Sequence, residues 1–526
     1  MAGSLASHAA ASLLLVAIAA PLAGTAQHFP NDEDLGLMLR YLVEDDRIPG
    51  IVIGLLEADG TTRVASYGSG GPGANPLGPQ SLFEIGSMTK TLTGALLADM
   101  VTRGEVALAD PVATYLGDEV AIPSRGGTEI TLLHLATHTS GLPGVPSNFP
   151  RLGTDPFGAY TLEDLYSFLE SHELSRDPGT QAEYANYGVG LLGQALARAA
   201  GQPYRDLLRI RVLEPLGMSM TGYAEAADWQ EGMPRGHRAG AVFPYWSTTP
   251  AIEAAGGLRS NAEDLLLFLA ANVGEPRTDL ERAMRLSHEP RSAMSRGGIE
   301  SEVGLTWETL TLSGRRIIRH TGTSGGFSTM IAFEPNRQVG IIVLTNSVSG
   351  GGAIGLALDL LVHEPPRSTP QSTVESEVLG DFVGEYALSA EQSVYVRFEP
   401  DAYLTVQAPN SERFRMYAES DSTFFVKREA WDFAFERDDQ GAVSGLVVTV
   451  NGNDQAARKV SDETPPPQQV AGTSGSGGLE GVLLRAMAAV SRWGSLAWIA
   501  IGLSALALIA ALGRGMIRRF GRSNAS

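Results

Sequence analysis

The chain has 526 residues, 43% of them apolar, with 39 Lys plus Arg against 59 Asp plus Glu and no cysteine. That supplies a large core and excludes global disorder, disulfide stapling, thiol catalysis and thiolate metal sites. Residues 1–480 hold 33 of the cations and all 59 acids, a net charge of −26, so this body repels nucleic acid.

Residues 1–26 carry an apolar run from Ala9 to Leu22 and then the small residues Gly24 and Ala26, the pattern of a signal peptide. Asn31, Asp32, Glu33 and Asp34 form a compact polar cluster that suits the cap of a first helix. From Gly50 to Gly68 two β-like runs flank Ala58-Asp59-Gly60, a hairpin signal. Met88, Leu92, Leu96 and Met100 recur at helical spacing, and helical patterns dominate until strand-like runs return between Arg315 and Asn346. Strands from both ends of this segment predict one sheet, with the helical middle packed on it or set beside it, an α/β (α+β) arrangement. From residue 378 to 460 short alternating runs separated by polar turns predict a separate all-β, barrel-like domain. Residues 461–480, rich in Pro, Gly, Ser and Gln, read as a flexible tether. The 21 residues 493–513 carry no charge. As a helix they would reach about 31 Å, enough to cross a membrane once. Arg514, Arg518, Arg519 and Arg522 in the tail 514–526 predict that this end is cytoplasmic and the acidic body extracytoplasmic, periplasmic or extracellular.

Three short patterns carry chemistry. Ser87 and Lys90 lie three apart, so a helix beginning at Ser87 places a hydroxyl and an amine on one face, one turn from each other. The free N–H groups of that helix start favour developing negative charge. Tyr184 and Asn186, two apart before a small-residue helix, can point the same way. A phenolate is a strong base, and a neighbouring cation such as Lys90 would favour its formation. Arg319-His320-Thr321-Gly322-Thr323 reads as an edge strand whose glycine permits a substrate backbone to approach and whose next N–H can donate to an oxyanion.

Other patterns fail in context. Gly322 to Gly326 matches a G-x-S-x-G elbow around Ser324, with Asp359 and His363 downstream, but the following FSTMIAF reads as a strand where a helix is required. His134 and His138, four apart, lack a third metal ligand and are read as structural under the site's rim. Tyr245 and Trp246 sit in a Pro-bounded loop suited to lining an acyl pocket or to packing. No metal or cofactor is implied.

Serine-x-x-lysine, tyrosine-x-asparagine and a basic-residue-threonine-glycine strand, in this order, resemble the serine β-lactamase and penicillin-binding-protein superfamily, and most closely its class C-like serine hydrolase branch. The segments 130–143, 214–223, 254–268 and 326–346 are similar to that branch too, and the resemblance spans residues 34–364, while 378–460 resemble the small lipocalin-like domain often appended to such hydrolases. The resemblance implies a β-lactamase/transpeptidase-like antiparallel sheet with helices and an all-helical subdomain. It makes Ser87 the nucleophile, Lys90 its activator, Tyr184 the base and later proton donor, and Asn186, His320, Gly322 and Thr323 substrate contacts, with the N–H groups of Ser87 and Thr323 as oxyanion hole. It implies a small-molecule or peptide substrate: an ester, an amide or a D-amino-acid peptide. One position departs from the pattern, since His320 stands where β-lactamases and carboxypeptidases commonly have lysine. A neutral imidazole is no permanent carboxylate anchor, which favours esterase, amidase or D-peptidase activity over penicillin hydrolysis. The alternatives are a true β-lactamase and a catalytically silent module that binds peptidoglycan-like peptides.

Overall fold

The computed structural model describes residues 27–464 except 47, 151–154, 156, 224–231, 297–298, 363–371, 373, 391, 400–401, 409–412, 427–430 and 451–452. The expected signal peptide, most of the tether, the membrane-spanning helix and the basic tail therefore lie outside the described residues. Among the described residues no helix is long and apolar enough to cross a membrane.

Helix α1 (Asp32–Asp46) opens on the cluster read as a cap, and Asn31 Oδ1 accepts the Asp34 N–H at 3.0 Å. β1 (Gly50–Leu56) and β2 (Thr62–Gly68) form the expected hairpin, turning at Gly60, whose φ of +85° suits glycine. The short β3 (Phe83–Glu84) later pairs with β6 (Arg259–Ser260), and β4 (Gly236–Arg238) pairs with β5 (Ala241–Phe243). β7 (Ser292–Arg296), β8 (Ile299–Val303), β9 (Glu308–Leu312), β10 (Arg315–Thr323), β11 (Ser328–Glu334) and β12 (Val339–Thr345) complete an eight-stranded antiparallel sheet of order β2-β1-β12-β11-β10-β9-β8-β7. The two ends of the segment do meet in one sheet, where Ile51 faces Thr345 across β1 and β12.

Both faces of that sheet are covered, and the period of two assigns the faces. Ile51, Ile53 and Leu55 of β1 and Ile341 and Val343 of β12 pack with Leu35 and Leu39 of α1 and with Leu356 and Leu360 of the helix Gly351–Val362. Val52, Leu56, Ile342 and Leu344 point the other way, into the larger core built on helix α2 (Thr89–Thr102) and the helices Asn186–Ala200 and Ala262–Val273. Gly54 and Gly340 let the last of these lie close, since a Cβ at either would stand within 3.1 Å of Leu266 or Leu269.

One strand differs from expectation. β10 is interior, between β11 and β9, because the sheet continues through the β7–β8 hairpin. β9 nevertheless pairs only with Arg315 to Arg319, so His320 to Thr323 keep one open side.

The C-terminal domain is a closed eight-stranded barrel: β13 (Gly384–Ala387), β14 (Ser393–Glu399), β15 (Tyr403–Gln407), β16 (Arg413–Ala418), β17 (Thr423–Val426), β18 (Trp431–Arg437), β19 (Val443–Val450) and β20 (Asn453–Ser461). Its interior is filled by Val396, Leu404, Phe424, Phe433, Phe435 and Leu446, with Leu379 and Phe382 entering from the short helix Ser376–Asp381 and the residue after it. The barrel meets α1 through β16, where Arg415 Nη1 lies 2.5 Å from Glu33 Oε1.

Candidate active site

Helix α2 begins at Thr89, and a tight 3-10 turn over Gly86–Met88 precedes it, so Ser87 sits on the turn and Lys90 in the first helical turn. The expected juxtaposition holds, with Lys90 Nζ 3.0 Å from Ser87 Oγ. Two further contacts complete the amine's shell: Asn186 Oδ1 at 2.8 Å and the Ala255 carbonyl at 2.7 Å. No carboxylate touches Lys90 among the described residues, and the side chain has no solvent exposure. Burial first, and then the Arg296 guanidinium, push its pKa well below the ordinary lysine value, with Glu308 opposing. The geometry suits the neutral amine. Asn186 Oδ1 and the carbonyl can only accept, so they take its two N–H groups, and its lone pair is left for the Ser87 hydroxyl.

Tyr184 lies in the chain leading into the helix Asn186–Ala200, its ring centroid 4.9 Å from Lys90 Nζ. Burial raises its pKa to about 12, against the lowering effects of Ser87 and Arg296. Burial lowers the pKa of the lysine expected to favour its ionisation and raises that of the phenol itself, so the resting phenol keeps its proton. His138 packs on the Tyr184 ring at 4.5 Å and accepts the Ala185 N–H on Nδ1 at 3.3 Å, which holds the loop and leaves the proton on Nε2. His134 instead accepts the Thr131 N–H within a helix cap, so the two imidazoles serve different turns.

His320 is 1% exposed, and its Nδ1–H donates to the Thr321 carbonyl at 2.7 Å. Burial, reinforced by Lys90, lowers its pKa to about 3, so the ring is neutral and its Nε2 is an acceptor with no partner. At Gly322 a Cβ would lie 2.0 Å from the Ile85 carbonyl, so glycine lets the chain entering the nucleophile turn lie against β10. Gly86, at φ +51°, meets the Thr323 backbone in the same way, its Cβ position 2.8 Å from Thr323 N. Two glycines thus bring the Ser87 turn and the open side of β10 together.

A cavity of about 280 Å³ opens beside Ser87, lined by Glu84, Phe157, Tyr223, Tyr245, Trp246 and Arg259 among others. The Pro-bounded loop therefore does line the cleft. Ser324 also borders it, but it is 2% exposed and is followed by β11, so it has no elbow geometry. Asp359 belongs to the helix Gly351–Val362, and His363 lies outside the described residues. Among the described residues, none of those lining the cavity comes from the barrel. Sequence reasoning missed Glu84, Arg259, the Ala255 carbonyl and Arg296, while His138, read as structural under the rim, packs on Tyr184.

Residues 37–363 match the family described as Beta-lactamase. The chain is 33% identical over 312 residues to the D-alanyl-D-alanine-carboxypeptidase/endopeptidase AmpH of Escherichia coli (strain K12), covering 56% of this chain and 79% of that protein. It is 28% identical over 338 residues to the Beta-lactamase of the same strain, covering 58% and 86%. Among solved structures it is similar to a Beta-lactamase/D-alanine Carboxypeptidase from Yersinia pestis complexed with citrate, at 26% identity and TM-score 0.52 over 60% of this chain and 92% of that one. It is also similar to the D-alanine Carboxypeptidase AmpC from Burkholderia cenocepacia, at 26% identity and TM-score 0.53 over 62% and 97%.

Proposed function

The chain belongs to the beta-lactamase family and is a serine hydrolase, and from that premise we propose that it hydrolyses D-alanyl peptides or related amides and esters through an acyl-enzyme on Ser87. The observation that carries this reading is the buried amine of Lys90, 3.0 Å from Ser87 Oγ and held by two further acceptors, Asn186 Oδ1 and the Ala255 carbonyl. In acylation the Ser87 proton passes to Lys90 Nζ as Oγ attacks the carbonyl. The oxyanion is met by the Ser87 and Thr323 N–H groups, one such donor being worth on the order of 3 kcal/mol. The Tyr184 hydroxyl then gives its proton to the departing nitrogen or oxygen, leaving phenolate and ammonium side by side. In deacylation the phenolate takes a proton from water, the hydroxide attacks the acyl carbon, and Lys90 returns its proton to Oγ. Both groups end as they began. Asn186, bonded to Lys90 and lining the cavity, would contact the acyl amide.

The D-peptide reading draws on AmpH, the more similar of the two named relatives. The neutral His320 removes a charged anchor for the carboxylate that β-lactams and D-alanyl-D-alanine peptides share, which favours amides and esters that do not depend on it. Labelling of the full-length protein with a fluorophosphonate, with peptide mapping and a Ser87→Ala control, tests the nucleophile. Adduct on Ser87 that is absent from the control supports it, and label on Ser324 overturns it. Hydrolysis of a chromogenic cephalosporin without release of D-alanine from a D-alanyl-D-alanine peptide would move the substrate to a β-lactam. We further propose export through residues 1–26 and anchoring through 493–513, with the enzyme extracytoplasmic, supported by their apolar runs and the flanking arginines. Membrane fractionation with protease accessibility tests this.

A further inference from the structure

The carbonyl that holds Lys90 comes from outside its helix, and a further layer of contacts holds that carbonyl. Ala255 lies in the short helix Glu253–Gly256. Thr93 stands on α2 three residues after Lys90, on the same face and without solvent exposure. A threonine hydroxyl has one proton to give. Here it goes to the Ala254 carbonyl at 2.6 Å, the Thr89 carbonyl being 3.4 Å away, so the oxygen accepts from the Tyr204 hydroxyl at 2.7 Å. The order from Tyr204 through Thr93 to Ala254 is thereby fixed, and all three residues are buried. The short helix is tied again at Glu253, whose carbonyl accepts from the Tyr223 hydroxyl at 2.9 Å and whose Oε2 pairs with Arg205 Nε at 2.6 Å. It also rests on the helix Asn186–Ala200, which brings the other Lys90 acceptor. A Cβ at Gly190 would lie 2.0 Å from the Ala251 carbonyl, and one at Gly193 would lie 2.3 Å from Ala254 Cβ. Thr93 is the link that ties the neighbour of Ala255 back to the helix carrying Lys90.

We infer that Thr93, backed by Tyr204, is a positioning residue for Lys90: by holding the Ala254 carbonyl it sets where the Ala255 carbonyl stands, and with it how the amine is held against Ser87. This rests on the hydrolase reading above. Thr93 touches neither the amine nor the cavity, and it lies outside all three motifs. A carbonyl aimed at the amine favours its protonated form, so a displaced carbonyl should leave the amine both less well directed and easier to deprotonate. Tyr184, His138 and His320, and the charges of Arg296 and Glu308, also face Lys90, and none of them contacts Thr93.

The test uses full-length protein and two readouts, the rate of fluorophosphonate labelling of Ser87 per folded molecule and the titration of Lys90 itself. The chain has three lysines, Lys90, Lys427 and Lys459, so lysine isotope-labelled at Cε gives three NMR signals, and the one lost in Lys90→Met belongs to Lys90. Thr93→Val keeps the shape and removes the hydroxyl. It is expected to slow labelling about tenfold and to move the Lys90 midpoint down by roughly half a pH unit or more, leaving the other two signals in place. Slower chemistry joined to an easier deprotonation is a combination that loss of folded protein does not produce. Thr93→Ser should restore both readouts to within about twofold of the wild type, because the hydroxyl returns. Tyr204→Phe, which removes the backing proton alone, should shift both in the same direction by less, and it carries the test should Thr93→Val fail to fold. A Lys90 midpoint that stays put, a labelling rate that stays at the wild-type value, or a change that Thr93→Ser does not reverse overturns the inference. Should the wild type take no label at Ser87, the nucleophile assignment falls, and the Lys90 midpoint decides the positioning role on its own.

Discussion

The two ends of helix α2 bury opposite charges and treat them differently. At the first turn Lys90, with no exposed surface, has three oxygen partners and no carboxylate. Near the last turn Asp99, 2% exposed, receives Arg103 Nε at 2.9 Å and both Arg211 Nε and Nη2, at 2.8 and 2.5 Å. Asp99 is paired with a fork and a second guanidinium, and these contacts hold the helix to its neighbours. Lys90 touches only neutral groups, while Arg296 and Glu308 act on it from a distance with opposite sign, so desolvation dominates and its pKa falls. One helix therefore contains a structural charge and a reactive one, and the difference is whether a counter-charge came with it.

The largest expected effect tests the reactive end. Lys90→Met should lower the acylation rate at Ser87 by about 10³-fold or more, because the proton acceptor is gone. Its stability in urea should change by less than about 2 kcal/mol, since no ion pair is broken and the cost is two acceptors left without a donor. A large stability loss with acylation intact would reverse the contrast. Asp99→Asn should do the opposite, losing about 3 kcal/mol of stability with kcat per folded molecule preserved, because the Arg211 fork keeps its charge without its counter-ion.

Gly322→Ala sharpens the picture from the strand side. Its Cβ would press on the Ile85 carbonyl from 2.0 Å and push β10 from the nucleophile turn, so turnover should fall about 100-fold through misplaced oxyanion donors, with KM changed much less. The pH profile comes next in size. The neutral amine is the competent form and its pKa is depressed, so kcat/KM should rise with pH through that lowered value and fall about tenfold per unit below it. Tyr184, held at about 12, should impose no alkaline limb below that range. A limb near the carboxylate range of about 4 would hand the role of base to an acid. Arg103→Ala is the smallest effect, below about 1 kcal/mol, because that guanidinium is 53% exposed and Arg211 still covers Asp99.

How much of this could be read without coordinates depended on range. The β1–β2 hairpin, the return of strand character near residue 315 and the three-residue step from Ser87 to Lys90 are local, and local spacing reveals such features. The barrel was legible for the same reason, since alternating runs separated by polar turns have few other outcomes. What stayed hidden arises where distant segments touch. Nothing in HTG says that its glycine is pressed by the Ile85 carbonyl. Nothing in a run of small residues says that the Ala255 carbonyl will hold an amine. The β7–β8 hairpin has short, exposed strands with little alternation, so neither the sheet's extension nor Arg296 at its tip could be seen. Tyr184 shows the limit most clearly, because adjacency to a lysine suggested ionisation while burial, invisible in one dimension, decides the other way.

The pairing of β1 with β12 has a consequence in time. The strand that opens the sheet finds its partner only at residues 340–345, and the serine turn finds the Thr323 amide only when β10 is present. Long-range closure of this kind is slow and comes late in synthesis, after the intervening helices have emerged. A nascent or prematurely ended chain carries Ser87 and Lys90 side by side and still lacks the amide that would make them dangerous. On the mechanism proposed above, the topology works as an interlock, and hydrolytic power would arrive only with a finished catalytic domain.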